Sequence, residues 1–379
     1  LYMIYFERLQ TLDTPNQSYI ISRINQFVQA REIERGAIEL AKLAKVGEFD
    51  KAKALMQKIL KSGITKEEVG VRYFDRKIPS YLKPHSNNEK LIGFGVPCID
   101  QRFPRGLCRT DFLCLLGGFK GMKSWGCNYI GQLGLLAGLK VLHVTHELSE
   151  EDTEMRYDMG FGGAVGRLDT QVASVEMEEF GEDGVTGAKR MENRPTVADM
   201  DYVLKTQKTI QRFGGQLIIQ KYDMGTCTMN EIRRYLDYLE AFEGFVPDIF
   251  INDYIEKMRV PAGDKRNDAI NDMYIQMKGL LDERKMLGVT VSQTTRDALR
   301  SQRLGQKDFA EDIRKLGNVD QVVAISQTDE MAQHNRMLMY VLANRHGAMD
   351  FGAKFSYNLN IGQFCIDSWP YKPIKKEKK

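Results

Sequence analysis

The sequence has no CxxC pair and no metal-type spacing among its six cysteines, Cys98, Cys108, Cys114, Cys127, Cys227 and Cys365. That gives no basis for a structural zinc site or a disulfide framework and suits a reduced, cytosolic chain. It also lacks an apolar run long enough to span a membrane: the stretch from Leu133 to Val144 is interrupted by Gly138, Lys140 and His143. The opening Leu1-Tyr2-Met3 has no charged segment followed by an apolar one, so no signal peptide is expected, and the absence of an initial Met suggests that residues precede Leu1. Net charge is nearly absent too, with Lys and Arg exceeding Asp and Glu by 54 to 51. Such a balance neither supports nor excludes a polyanionic partner, because basic residues can gather on a few loops. His146-Glu147 does not open a zinc-protease HExxH motif, since position 150 is Glu150 rather than histidine.

What is present is a chain of 379 residues, 42% hydrophobic and 28% charged, enough for a substantial core and for two domains. Residues 1–63 read as a small α-helical region of two or three helices, with apolar residues at helical spacing in Ile20, Ile24, Phe27 and Val28 and again in Ala37, Leu40, Ala41 and Leu43. The pattern continues over Lys51 to Leu60 until Gly63 closes it. Residues 64–91, with Pro79, Pro84 and the polar run from His85 to Glu89, read as a linker. Residues 92–369 alternate strands with helices, which predicts an α/β domain built on a mostly parallel sheet. Its expected strands are 112–116, 141–145, 217–221, 249–251, 289–292, 337–342 and 355–359, with a helix from Trp125 to Gly138. Residues 370–379 form a basic, solvated tail.

Between the first of those strands and that helix lies Gly117-Gly118-Phe119-Lys120-Gly121-Met122-Lys123-Ser124. A glycine-rich turn in that context lets backbone N–H groups and a helix N-terminus wrap phosphates. Gly118, Lys120, Gly121, Met122, Lys123, Ser124 and Trp125 are the candidate nucleotide-binding positions, with Lys123 on the β and γ phosphates and Ser124 on Mg²⁺. The motif GxxxxGK[ST] asks for glycine where this chain has Met122. A tolerated variant, an enfeebled ATPase and a glycine-rich turn unrelated to phosphate all remain open on the motif alone. Asp253 ends an apolar strand and is the candidate metal acid, although Asn252 before it is polar where such strands are apolar. Glu147 follows the strand at 141–145, where a carboxylate can polarise an attacking water, while Ser149 can cap the next helix. Gln293 ends the strand at 289–292 and is a candidate γ-phosphate sensor.

Taken in order, these segments resemble the motor domain of DnaB-type replicative helicases, especially phage-encoded forms. The resemblance runs from residue 92 to 367 through Gly117–Ser124, Leu142–Ser149, Thr228–Arg233, Asp253-Tyr254, Ser292-Gln293, Asp312–Gly317 and Ala343–Gly347. It implies a RecA-like P-loop core, ATP and Mg²⁺ as cofactors, and a homo-hexameric ring that moves 5′ to 3′ on single-stranded DNA in the host cytoplasm. It further implies Glu147 as base, Gln293 as sensor, and Arg345 as an arginine finger acting on a neighbour's nucleotide. Arg314, Lys315 and Gly317 would meet the DNA backbone. No primase motif is visible, so a primase and a helicase loader would be separate chains. Four positions depart from the family: Met122, Asn252, Lys315 where an acid is common, and Ala343 where a second basic residue is usual. Two alternatives share the core: a RecA-like recombinase forming filaments, and a weakly or non-hydrolysing P-loop protein that uses nucleotide to hold an assembly together. Arg296, Arg300, Arg303, Lys307 and the stretch 255–268 read as solvated surface or as further DNA path.

Overall fold

The run Phe-Leu-Cys-Leu-Leu-Gly at Phe112–Gly117 is apolar on both faces, which suits a strand covered by helices above and below. A computed structural model of the chain, describing residues 17–49, 51–52, 55–56, 82, 86–87, 89–118, 122–181, 184–260, 266–294 and 313–371, places that strand inside a nine-stranded sheet. The chain divides into two units, Leu1–Ser86 and Asn87–Lys379. In the first, α1 (Gln17–Val46) is one helix of 30 residues. Most of the helical continuation over 51–60 and of the stretch 64–91, and all of 372–379, lie outside the described residues.

The second unit runs in chain order through β1 (Lys90–Ile92), α2 (Pro97–Asp100), β2 (Leu107–Cys108), β3 (Phe112–Gly117), α3 (Lys123–Leu136), β4 (Lys140–Thr145) and α4 (Glu150–Gly162). It continues with β5 (Val172–Gly181), β6 (Gly184–Pro195), α5 (Met200–Gln211), β7 (Gln216–Lys221), α6 (Met229–Glu243), β8 (Ile249–Asp253), α7 (Arg266–Arg284) and β9 (Leu287–Gln293). The last elements are β10 (Gln321–Ser326), α8 (Asp329–Gln333), β11 (Arg336–Asn344), β12 (Phe351–Asn358) and β13 (Gln363–Pro370). Strand order in the large sheet is β13-β12-β11-β10-β3-β9-β8-β4-β7. Every pairing from β10 across to β7 is parallel, and β11, β12 and β13 extend the sheet antiparallel.

Side-chain alternation sends successive residues to two cores. Leu113 and Leu115 join Cys127, Ile130 and Leu135 of α3 on one face. Phe112, Cys114 and Leu116 join α6 and α7 on the other. Each of the leucine, isoleucine and phenylalanine side chains among these, buried almost completely, contributes about 1.5–3 kcal/mol of apolar transfer. Helix α3 lies so close to the sheet that a Cβ at Gly126 would stand 2.9 Å from Leu115, and one at Gly134 2.6 Å from Ile249. Ser149 caps α4 through the Asp152 N–H at 2.9 Å, and Thr228 and Glu231 form a reciprocal capping box that starts α6.

The strands expected from sequence are all present, several of them longer, whereas β1, β2, β10, β13 and the β5–β6 hairpin carry no expectation. The hairpin is antiparallel, crossed by a Lys189–Glu176 ion pair at 2.7 Å. It is held to the large sheet by Arg336, whose guanidinium lies 2.6 Å from Glu178. Among the described residues no helix is long and apolar enough to cross a membrane.

Candidate active site

Strand β3 ends at Gly117, and α3 begins five residues after Gly118, at Lys123. Met122, immediately before the helix, adopts φ 58° and ψ 20°, the left-handed conformation in which glycine is most at ease. The odd residue of the motif thus occupies glycine's backbone geometry, with its side chain packed against the main core. Lys123 is buried, and its Nζ donates to the Gly118 carbonyl at 2.7 Å. Burial pushes this ammonium's pKa down, while Asp253, Glu147 and Glu256 pull it back up. Phe119, Lys120 and Gly121 lie outside the described residues. Trp125, expected at the nucleotide, packs against Met159, Ala164 and Val197, and the Arg156 guanidinium lies over its ring at 4.6 Å.

Asp253, at the end of β8, is 1% exposed. Burial raises its pKa to about 6, against a hydrogen bond from Ser124 that lowers it. Its Oδ1 has no hydrogen-bond partner among the described residues. A buried carboxylate with an orphaned oxygen, facing a serine hydroxyl and a lysine, is a donor set suited to Mg²⁺, which takes one or two protein oxygens and completes its shell elsewhere. Glu147 follows β4 and is partly open to solvent; its Oε1 lies 3.2 Å from Lys257 Nζ and accepts from the Tyr254 hydroxyl at 3.3 Å. Gln293, the last residue of β9, donates from Nε2 to that same hydroxyl at 2.9 Å. The structure therefore brings Lys123, Ser124, Glu147, Asp253 and Gln293 to one end of the parallel strands, with Tyr254 as the bridge between Gln293 and Glu147.

Two neighbours, Arg156 and Lys257, escape sequence reasoning. Arg156 of α4 has its Nη1 buried without a hydrogen-bond partner among the described residues, and burial lowers its pKa beside Asp253 and Asp152. Its place three residues after the buried Thr153, on the same helix face, is the signal that marks an inward-facing arginine. Lys257 carries no motif at all. Asn252 and His146 explain one another: Asn252 Oδ1 and His146 Nε2 lie 3.1 Å apart, and the His146 N–H donates to the Asp253 carbonyl at 2.9 Å. Burial holds His146 down to about pKa 4, so it is neutral, and the polar residue in an apolar strand anchors the residue preceding Glu147.

The positions expected at nucleic acid separate. Arg314 is exposed and pairs with Asp268 at 2.7 Å. Gly317 has open space where a Cβ would be. Lys315 corrects the expectation for its side chain: it is 1% exposed, with its ammonium 2.7 Å from Glu256, and so presents no charge to a ligand at the surface. Arg345 follows β11 and pairs with Asp320 at 2.8 Å, and Asp320 in turn accepts from the Phe112 N–H at 3.0 Å. That is the opposite end of β3 from Gly117, on the order of 17 Å away at about 3.3 Å per residue. Within one chain Arg345 does not meet Lys123 and the acids. Arg296, Arg300, Arg303 and Lys307 lie outside the described residues, as do 261–265.

No protein-family model matches the chain. Over 289 residues, 73% of its length, it is 22% identical to the DnaB-like replicative helicase of Enterobacteria phage T4, and it spans 55% of that protein. Among solved structures it resembles one described as an ATPase domain, with a TM-score of 0.57 and 14% identity, over 74% of this chain and 92% of that one. It also resembles a DnaB-like replicative helicase whose structure was described with its interactions with primase, with a TM-score of 0.58 and 14% identity, over 92% of this chain and 78% of that one. The chain thus has the RecA-like fold of DnaB-type ATPase domains, and its sequence is similar to that of a phage DnaB-like replicative helicase.

Proposed function

We propose that the protein is an ATP-driven replicative helicase motor, working as a homo-hexameric ring on single-stranded DNA at a replication fork. The observation that carries this reading is the placement of Lys123, Ser124, Asp253, Glu147 and Gln293 at one end of the sheet and of Arg345 at the other. Such a chain supplies all but the arginine to its own site and offers that arginine to a neighbour. Bound ATP with Mg²⁺ supplies a phosphoryl group whose transfer to water releases free energy. Lys123 would exchange the Gly118 carbonyl for the phosphates, Ser124 and Asp253 would hold the metal, and Glu147 would accept a proton from the attacking water. Gln293 reads the γ-phosphate and is tied through Tyr254 to Glu147. Arg156, half-buried near Asp253, adds positive potential to the same cleft.

On this reading residues 92–369 are the motor, 1–63 a helical region, 64–91 the linker between them and 370–379 a tail. DNA passes by Arg314 and Gly317, next to an open depression lined by Arg266, Asn267 and Asp268. A primase and a loader are separate chains, and the setting is the host cytoplasm. A second reading, a nucleotide-stabilised assembly with weak hydrolysis, is favoured by the Lys257–Glu147 ion pair, which occupies the proposed base, and by Ala343 at the proposed interface.

Steady-state ATP hydrolysis with and without single-stranded DNA decides between them. DNA-stimulated turnover that drops by at least about 100-fold in Lys123→Ala and Glu147→Gln supports the motor. Mg·ATP binding without turnover supports the assembly, and no nucleotide binding at all removes both.

A further inference from the structure

Glu256 and Lys315 take no part in the chemistry above, yet they form the most deeply buried ion pair among the described residues, with side chains 6% and 1% exposed. Glu256 stands three residues beyond Asp253, in the 3-10 turn Ile255–Lys257. Its Oε1 collects three donors: Lys315 Nζ at 2.7 Å, Ser292 Oγ at 2.9 Å and the Tyr274 hydroxyl at 3.1 Å. Its Oε2 has no hydrogen-bond partner among the described residues. The four side chains come from four elements: the turn after β8, strand β9, helix α7 and the 3-10 turn Ile313–Asn318. Ser292 precedes Gln293, and Arg314 precedes Lys315. One carboxylate therefore ties the neighbours of the nucleotide site to the turn that carries Arg314 and Gly317.

Burial makes this tie stiff. A charge taken out of water must keep its partner, so the turn at 313–318 cannot shift and hold its ion pair unless Glu256 and Ser292 shift with it. An acid at position 315 would face Glu256 with like charge.

We propose that Glu256 and Lys315 are a positioning pair that couples single-stranded DNA at the Arg314–Gly317 turn to the setting of Gln293 and Asp253 in the nucleotide site. The inference rests on the proposed function and adds to it the route by which DNA governs hydrolysis. Neither side chain touches nucleotide or DNA; both act through Ser292 and the two turns.

The test is ATP hydrolysis with and without single-stranded oligothymidine, for the wild type, Lys315→Met, Glu256→Gln and the double variant, with melting temperature measured alongside. Each single variant is expected to melt lower, to keep basal turnover within about threefold, and to lose about tenfold or more of the DNA stimulation. The double variant leaves neither charge alone, so its melting temperature recovers while stimulation stays lost. Stimulation that recovers together with stability overturns the proposal and reduces the pair to a structural one. So does undiminished stimulation in Lys315→Met, or basal turnover that falls in step with stimulation. Should a single variant fail to fold, the double variant decides. A wild type that hydrolyses ATP without any response to DNA overturns the motor reading itself, and the coupling with it.

Discussion

Met122 sets the question at the scale of one residue. Its φ of 58° costs a side-chain-bearing residue about 1–2 kcal/mol, and contact of its thioether with the main core offsets part of that. Methionine, unbranched at Cβ, is among the less strained choices for such a backbone; a β-branched residue is not. Met122→Val is expected to lower the unfolding free energy in urea by about 1–3 kcal/mol, and an unchanged value would show that the loop relaxes freely. The same scale shows where sequence reasoning stops. Lys315 carries a charge that invites a ligand, but depth is a property of the fold, and only Glu256 beneath it reveals that the charge is consumed inside. Arg156 and Lys257 escape for the complementary reason: their contacts join segments far apart in sequence.

Elements were more readable than contacts. Strands β3, β4, β8 and β9 announce themselves because a parallel sheet covered on both faces demands unbroken apolar runs. The hairpin β5–β6 hides because Glu176, Glu178, Lys189 and Arg190 give it the look of a solvated helix, and its order comes from cross-strand and inter-sheet ion pairs. Strand β10 hides behind the charged stretch before it, and β13 behind mixed polarity. Strand β4 also makes the packing pH-sensitive. His143 is fully buried against the Tyr157 hydroxyl at 3.0 Å, and burial holds it down to about pKa 3. A histidine depressed in the fold contributes stability that is present above its ordinary value near 6.5 and is lost as pH falls toward the depressed one. Unfolding free energy is therefore expected to fall below pH 6.5 by about 1.4 kcal/mol per pH unit for each histidine kept neutral. His143→Gln should flatten part of that slope, and an identical profile in the variant would show that the histidine is not its source.

At the scale of the whole molecule, the placement of Arg345 makes a prediction about company. Lys123→Ala and Arg345→Ala chains should each be inactive alone. An equal mixture should recover about a quarter of the wild-type rate, because that share of neighbour pairs joins an intact lysine to an intact arginine. Rates that stay at zero on mixing, with assembly confirmed by sedimentation, would mean that Arg345 does not serve a neighbour. The separation of the two ends of β3 has one more consequence. Where the surface that gives an arginine and the different surface that receives one join head to tail, every copy added points the same way as the last. A two-fold dimer, whose halves face each other, has no front or back. A head-to-tail stack would have both, and a strand threaded through it would meet an arrow.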